Sequence, residues 1–418
     1  MDLTAVRGSR DFLPSEKILR NSAVAKLSSV FESYGFNPLE TPALENIEVL
    51  SSKFAGGEEI LKETYQLEDQ GKRKLGLRYD LTVPLARLIA GNSFPMPFKR
   101  YAIDKVWRDG PLKAGRYREF VQCDVDVLGV KSVSAEAELM ALAQDAFRKL
   151  GLSVVVKVNS RKLLNGVLQK AGVSKDKEAS FILSLDKLEK IGVSGVKKEL
   201  VDKGFSEKIV VNALKLLESK KLSDYSKIGN ADAEAGFNEL KEFFEFLNEF
   251  NVKIVEFSPT LARGLNYYTG IVFEAFLKDS EIKSSIAAGG RYDELIGKFS
   301  GRGEVPAVGI SFGLDVLCEE LKKTESKQSV VNVLVIPFKT LPQAIALTQT
   351  LRSNGVNALV DLNEKGVSKN LDFASKQGIS FVIFCGEQEL KSGKFKVRDM
   401  SSGKEELLSE KDLVKVLK

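Results

Sequence analysis

Residues 106–129 read VWRDGPLKAGRYREFVQCDVDVLG, and no other stretch limits the fold as tightly. Taken as a strand, residues 116–128 send alternate side chains to opposite faces. One face carries Arg116, Arg118, Phe120, Gln122, Asp124 and Asp126; the other carries Tyr117, Glu119, Val121, Cys123, Val125 and Val127. The second face is mostly apolar and belongs in a core. The first is polar for its whole length, with cations near the loop DGPLKA and acceptors farther along. Arg108 lies on the partner strand, across that loop. Two structures meet this pattern. One is a hairpin at a sheet edge with its polar face in water. The other is a hairpin that holds phosphates at one end and an NH-bearing or cationic group at the other.

The surrounding chain supplies strands and helices in an order that places the hairpin inside a larger sheet. Ile18, Leu19, Ala23, Leu27, Val30 and Phe31 recur at helical spacing over about residues 15–34. YGFNPLETPALE breaks that helix at Gly35 and runs extended. ETYQLEDQGKRKLGLRYD predicts two strands around a turn, and LTVPLARLIAGN begins a helix. SAEAELMALAQDAFRKLGL predicts a helix with a glycine stop, followed by the strand SVVVKVNS. From about 161 to 251 the texture turns Lys-, Glu- and Leu-rich, as in a helical insertion. Strands return with VKIVEFSPTLARGLNYYTGIVFEAF, SSIAAGGRYDELIG and VPAVGISFGLDVLCEEL. After the polar linker KKTESKQSVV, strand and helix alternate to the end, the rhythm of a small parallel or mixed α/β domain.

At 418 residues the chain exceeds one ordinary core and calls for two or three domains. No window approaches the roughly 20 apolar residues of a membrane span. The polar opening MDLTAVRGSRDFLPSE lacks the apolar centre of a signal peptide, so a cytoplasmic location is expected. Cys123, Cys318 and Cys385 lie far apart and form neither a metal spacing nor a disulfide framework. The net charge of +5 and pI of about 8.8 permit a polyanionic partner without demanding one. The chain contains no histidine. The usual general base and the commonest zinc ligand are therefore missing, and no side chain has an unperturbed pKa between about 5 and 8.

Two further stretches share the hairpin's theme. RGLNYYTG brings an arginine and two adjacent tyrosines, Tyr267 and Tyr268, into a strand; AAGGRYDELIG adds paired glycines, Arg291 and Tyr292. Each alone is equally a core strand or a turn. Together, the stretches resemble the histidyl-tRNA synthetase family, of class II aminoacyl-tRNA synthetases, over nearly the whole chain. GSRDFLP is similar to the family's N-terminal segment. YGFNPLETPALE looks like motif 1, with Pro42 in the place of the dimer-interface proline. LRYDLTVPLAR is similar to the amino-acid-binding segment and the hairpin to motif 2. LARGLNYYTG and AAGGRYDELIG resemble two segments peculiar to the histidine enzymes, and VPAVGISFGLDVL occupies the place of motif 3.

The resemblance implies an α/β, more closely α+β, fold: a class II catalytic domain over residues 1–325, built on an antiparallel six-stranded sheet, with the helical insertion at about 161–251. An anticodon-binding α/β domain would follow at 326–418, in a homodimer with no membrane contact. The implied activity is ATP-dependent attachment of L-histidine to tRNA(His) through a histidyl-adenylate, with Mg2+ on the phosphates and no metal ligands of the protein's own. Arg108 and Arg263 would be the catalytic cations at the α-phosphate, and Arg116 would reach the triphosphate. Asp80, Thr82 and Gln122 would hold the α-amino group. Asp126 and Tyr268 would hydrogen-bond the two imidazole nitrogens, with Tyr267 and Tyr292 beside them. The pH response of histidine use is then expected to follow the substrate's own imidazole.

Three positions depart from the family pattern. Gly110 stands where a glutamate is usual, Asn266 where an aspartate is frequent, and Val316 where motif 3 carries an arginine for ATP. Val316 favours a second reading, a non-catalytic, histidine-sensing regulatory subunit of ATP phosphoribosyltransferase. Arg108, Arg116, Arg263, Tyr267, Tyr268 and the C-terminal α/β domain argue against it.

Overall fold

A computed structural model describes residues 3–51, 61–112, 117–264, 267–301, 303–325 and 327–417. The chain divides into two compact units: Met1–Arg10 with Ala23–Leu321, and Asp11–Ser22 with Lys322–Lys418.

The first unit is organised by an eight-stranded sheet among its described residues. In spatial order the strands are Asn37–Pro38, Phe98–Trp107, Glu119–Leu128, Ala307–Gly313, Ala287–Arg291, Ile271–Leu277, Val154–Ser160 and Val255–Phe257. The six central strands pair antiparallel throughout. A short parallel strand closes each edge. The expected six-stranded antiparallel sheet is therefore present, extended by one strand on each side.

The strand Glu119–Leu128 lies inside this sheet, paired on both sides. That removes the edge-hairpin alternative: a paired interior strand has no solvated edge. Its apolar face, with Cys123, Val125 and Val127 buried, continues through Ile310 and Phe312 of the neighbouring strand. The Phe312 ring packs 5.4 Å from Phe147 and 5.7 Å from Phe31, which seals this face under helices. The helix Ser134–Leu150 forms where expected and stops at Gly151, whose φ of 74° gives the left-handed cap. The polar face is buried as well: Asp124 and Asp126 are each 3% exposed.

The Lys/Glu/Leu-rich stretch is helical, with Arg161–Ala171, Glu178–Leu185, Leu188–Asp202, Glu207–Leu216 and Ala231–Glu249. Ser160, Ser206 and Asn230 accept backbone N–H groups at three of the helix starts. Its last helix packs against Ser134–Leu150 and the strand Val154–Ser160, so the stretch begins and ends in the layer that covers the sheet. A separate three-stranded sheet pairs Leu44–Asn46, Lys74–Leu77 and Gln66–Glu68.

The second unit contains a mixed five-stranded sheet in the order Ala358–Val360, Val333–Pro337, Phe381–Cys385, Lys394–Asp399, Glu405–Ser409. The first three strands run parallel and the last two antiparallel. The central run VLVIP is buried throughout because helices cover both faces.

Candidate active site

The ladder register of the large sheet lays out the floor of the site. Residues directly opposite one another share a face. Arg100, Asp126, Gly309, Gly290, Val272 and Asn159 form one row across six strands. Ala102, Asp124, Ser311, Ala288, Glu274 and Lys157 form the next. Small residues fill the middle of both rows, with charged groups on either flank. Gly309 is required there: a Cβ at this position would lie 2.0 Å from Asp126 Oδ1. At Gly290 a Cβ would approach the Tyr268 ring to 3.0 Å.

The acidic flank is held by a dense set of contacts. Tyr292 donates its phenolic proton to Asp126 Oδ1 at 2.5 Å, and Arg100 pairs with Oδ2 at 2.7 Å. Arg100 also donates to the Leu81 carbonyl at 3.2 Å. Asp80 Oδ1 accepts the backbone N–H groups of Thr82 and Val83 at 3.1 and 2.9 Å, which fixes the start of the helix Thr82–Gly91. Gln122 donates through Nε2 to Ser311 Oγ at 2.9 Å.

Burial pushes the Asp80, Asp124 and Asp126 carboxyls above their ordinary range. At Asp124 the rise reaches about 7: burial leads, Arg100 opposes it and the neighbouring Asp126 adds to it. A group that titrates near neutral pH can therefore arise here by perturbation, beside the substrate's own imidazole. Two carboxylates buried side by side against one guanidinium create such a group without any histidine.

The cationic flank contains Arg263 and Arg108. Arg263 forms an ion pair with Glu274, and its guanidinium carbon lies 5.7 Å from the centre of the Tyr268 ring. Burial alone would weaken its charge; Tyr268 and Glu274 hold it protonated. The loop that delivers it is anchored by Asn159 Nδ2, which donates to the carbonyls of Pro259 and Leu261 at 2.8 and 3.0 Å. Tyr267 is buried between Tyr268 and Tyr292, with ring centres 4.8 and 6.1 Å away. Arg108 follows directly after its strand. Its guanidinium lies 4.1 Å from the Tyr79 ring centre and 5.0 Å from that of Phe120, and it donates to the Tyr79 carbonyl.

The structure thus gathers Asp80, Thr82, Gln122, Asp126, Tyr267, Tyr268, Tyr292, Arg108 and Arg263 along one face and edge of the sheet. Arg116 and Asn266 lie outside the described residues. Arg291 turns away from the floor: it forms a buried bidentate pair with Glu136 and donates to the carbonyls of Val130 and Ser132. Three side chains not expected from the sequence join the site: Arg100, Ser311 and Glu274. Arg100 is in register with Asp126, and Ser311 and Glu274 lie in the row of Asp124, but that register is visible only once strand partners are known.

Two of the departures have spatial neighbours that change their meaning. Glu63 comes against Gly110 from another segment: a Cβ there would sit 2.8 Å from Glu63 Oε1. The Asp109 N–H donates to the Glu63 carbonyl at 2.7 Å, and Tyr79 donates to its carboxylate at 3.2 Å. Beside Val316, the Arg10 guanidinium reaches Asp315 and Glu319 at 3.4 and 3.6 Å and lies 4.2 Å from the Tyr117 ring centre.

Five buried polar atoms of the site find no hydrogen-bond partner among the described residues: Gln122 Oε1, Asp124 Oδ1, Asp126 Oδ2, Arg100 Nε and Arg263 Nε, with Asp126 Oδ2 in an ion pair with Arg100. Buried polar groups are rarely left so. The floor thus offers both unfilled acceptors and unfilled guanidinium donors, the complement of a molecule that carries both an ammonium and an anion.

Comparison with known proteins gives a consistent result. The family model described as Histidyl-tRNA synthetase matches residues 8–317, and one described as Anticodon binding domain matches residues 331–418. A curated relative from Bacillus cereus, Histidine--tRNA ligase 1, is 45% identical over 417 residues, covering 97% of each chain. Among solved structures, a histidyl-tRNA synthetase from Nostoc sp. PCC 7120 superposes with a TM-score of 0.88 at 32% identity, covering 100% of this chain and 99% of that one. A Bacillus halodurans C protein, described as an ATP phosphoribosyltransferase regulatory subunit/histidyl-tRNA synthetase, shares the fold with a TM-score of 0.77 at 23% identity, covering 92% of this chain and 99% of that one.

Proposed function

The chain belongs to the histidyl-tRNA synthetase family and attaches histidine to tRNA, and we propose that the sheet floor described above is where it does so. The observation that carries this placement is the set of unpartnered buried atoms, with acceptors at Gln122, Asp124 and Asp126 and donors at Arg100 and Arg263. The regulatory-subunit reading has less support, because curated relatives 45% identical over nearly their full length are named as ligases.

In the first step the histidine carboxylate attacks the α-phosphate of ATP and pyrophosphate leaves. Negative charge builds on the α-phosphate oxygens in the transition state. Cations already fixed there lower the barrier because they need no reorganisation. Arg263, locked by Glu274, and Arg108, held between two aromatic rings, meet that requirement. The family resemblance assigns the outer phosphates to Arg116. The adenine amino group meets Glu63, which supplies from another segment the carboxylate missing at Gly110. Among the described residues no group of three or more acidic or cysteine side chains is placed to hold a metal ion. Mg2+ would come with the triphosphate, as is usual where it acts on substrate phosphates. Its chemistry is to neutralise phosphate charge.

Histidine is read along the floor. Asp80, Thr82 and Gln122 take the α-amino end, while Asp126 and Tyr268 take the imidazole nitrogens with Tyr267 and Tyr292 closing the pocket. A pocket built around buried partners rejects analogues that lack the matching NH groups, because those partners would be left unpaired. In the second step the terminal adenosine hydroxyl of the tRNA attacks the adenylate. Substrate oxygens can take the proton, so a chain without histidine loses nothing essential.

The unit ending in residues 331–418 binds the anticodon. The enzyme works as a homodimer through the segment around Pro42, in the cytoplasm; among the described residues no helix is long and apolar enough to cross a membrane. Histidine-dependent exchange of pyrophosphate into ATP tests the reading. Exchange that requires histidine and no other amino acid is expected; histidine binding without exchange would point instead to a sensor.

A further inference from the structure

We infer that Asp124 is a substrate-binding residue which, together with Gln122, accepts hydrogen bonds from the α-ammonium group of histidine. The inference rests on the reading of the sheet floor as the histidine site and adds a residue to it.

The geometry comes first. Gln122 and Asp124 are two residues apart on an interior strand, so their side chains share the floor face. Each keeps one buried oxygen, Gln122 Oε1 and Asp124 Oδ1, without a donor among the described residues. The neighbours of Asp124 across the ladders are small, Ala102 on one side and Ser311 on the other. Ser311 ties the two together. Its oxygen accepts from Gln122 Nε2 at 2.9 Å, which leaves its own proton for the Asp124 carboxylate. The amide is thereby turned so that its oxygen remains free. An ammonium group carries three donors and no acceptor, which matches two adjacent unfilled acceptors.

Charge points the same way. Asp80, Asp124 and Asp126 are each no more than 5% exposed, and the fully buried cation among them is Arg100. Arg100 is already committed to Asp126 and to the Leu81 carbonyl. A cluster with more carboxylates than buried guanidinium groups is completed by an incoming cation. Position also agrees. Asp124 lies between Gln122, toward the arginine end of the strand, and Asp126 at the imidazole end. The α-ammonium of a histidine stretched along the floor falls between its carboxylate and its ring. Asp126 differs from Asp124 in this respect: it is ion-paired with Arg100 and accepts from Tyr292, and its one oxygen without a hydrogen bond, Oδ2, is left for the imidazole.

The test is calorimetric binding of L-histidine and of 3-(imidazol-4-yl)propionate, which lacks only the α-ammonium, to the full-length chain. Asp124→Asn keeps the shape and removes the charge. It is expected to weaken L-histidine binding about 10- to 100-fold, the value of a hydrogen bond to a charged group, and to leave the deamino analogue within about twofold. Ser311→Ala, a milder change that reads the same network, is expected to weaken histidine by about 3- to 10-fold. Two results overturn the inference. In one, both variants bind L-histidine as the unmodified protein does while Asp126→Ala loses it; the site then stands and Asp124 has no part in it. In the other, Asp124→Asn weakens both ligands equally, which marks a purely structural role. If Asp126→Ala also left histidine binding unchanged, the placement of the histidine site itself would be wrong.

Discussion

The Tyr292 hydroxyl donates to Asp126 Oδ1 at 2.5 Å, tying the residue just before the helix Asp293–Ser300 to the central strand of the sheet. Arg100 holds the other oxygen, so the carboxylate is oriented before any substrate arrives. Tyr292→Phe removes one of these two restraints and leaves the charge in place. The histidine KM is expected to rise about 10- to 100-fold, with the ATP KM within about twofold. Pyrophosphate-exchange kinetics with each substrate varied in turn measure this split. An equal rise for both substrates would remove Tyr292 from histidine recognition.

Arg263 is expected to act on the rate rather than on binding. Arg263→Ala should lower the histidine-dependent exchange rate by about 10²–10³, the usual cost of one such donor. The histidine Kd from calorimetry should change far less. The same variant leaves the partly buried Glu274 without its guanidinium, so a lower melting temperature is also expected. Arg263→Lys keeps a charge for Glu274 and should recover the melting temperature more fully than the rate. A near-normal exchange rate in Arg263→Ala contradicts the assigned role.

Asp124 makes stability depend on pH. Its folded value is raised from 3.8 to about 7, chiefly by burial. Below about pH 3.8 it is protonated both folded and unfolded, and its contribution to stability is fully present. As the pH rises, the unfolded chain releases the proton first, so the contribution falls until the folded group has ionised near pH 7. Arg100, Asp126, Ser311 and Asp80 are the groups that act on it. Asp124→Asn should therefore raise the melting temperature of the ligand-free protein, and more at pH 7.5 than at pH 5 (readings on either side of most of the transition). An equal gain at both values would show that Asp124 does not titrate in this window.

The tRNA-binding role of the C-terminal unit has a separable consequence. A chain ending near residue 321 should retain histidine-dependent exchange and charge tRNA poorly at low tRNA concentration. Residues Asp11–Ser22 belong to the same compact unit as Lys322–Lys418, so the shortened chain also loses their packing partner and should melt earlier. Undiminished charging would contradict the anticodon role.

Much of this was legible in the sequence because alternation and helical period act locally. The helix Ser134–Leu150 with its Gly151 stop, the hairpin strands and the mixed α/β order of the C-terminal unit could all be read from side-chain spacing. The two faces of the strand around Gln122 and Asp126 were separable for the same reason. What spacing could not supply was partnership. Nothing near Asp126 in the chain indicates that Arg100, Gly309 and Tyr292 will meet it. Nothing near Gly110 points to Glu63, 47 positions earlier. The raised pKa of Asp124 depends on burial, a property of the assembled sheet, and so could not be read from residue types alone.

The most direct measurement is a crystal structure of the protein with a non-hydrolysable histidyl-adenylate analogue, the 5′-sulfamoyl ester. The imidazole is expected between Asp126 and Tyr268, and the α-ammonium against Asp80, Gln122 and Asp124. The sulfamoyl group, in place of the α-phosphate, should lie within hydrogen-bond distance of Arg263 and Arg108. An analogue bound elsewhere, or bound here with its ring at the arginine end and its sulfamoyl group at Asp126, would contradict the account.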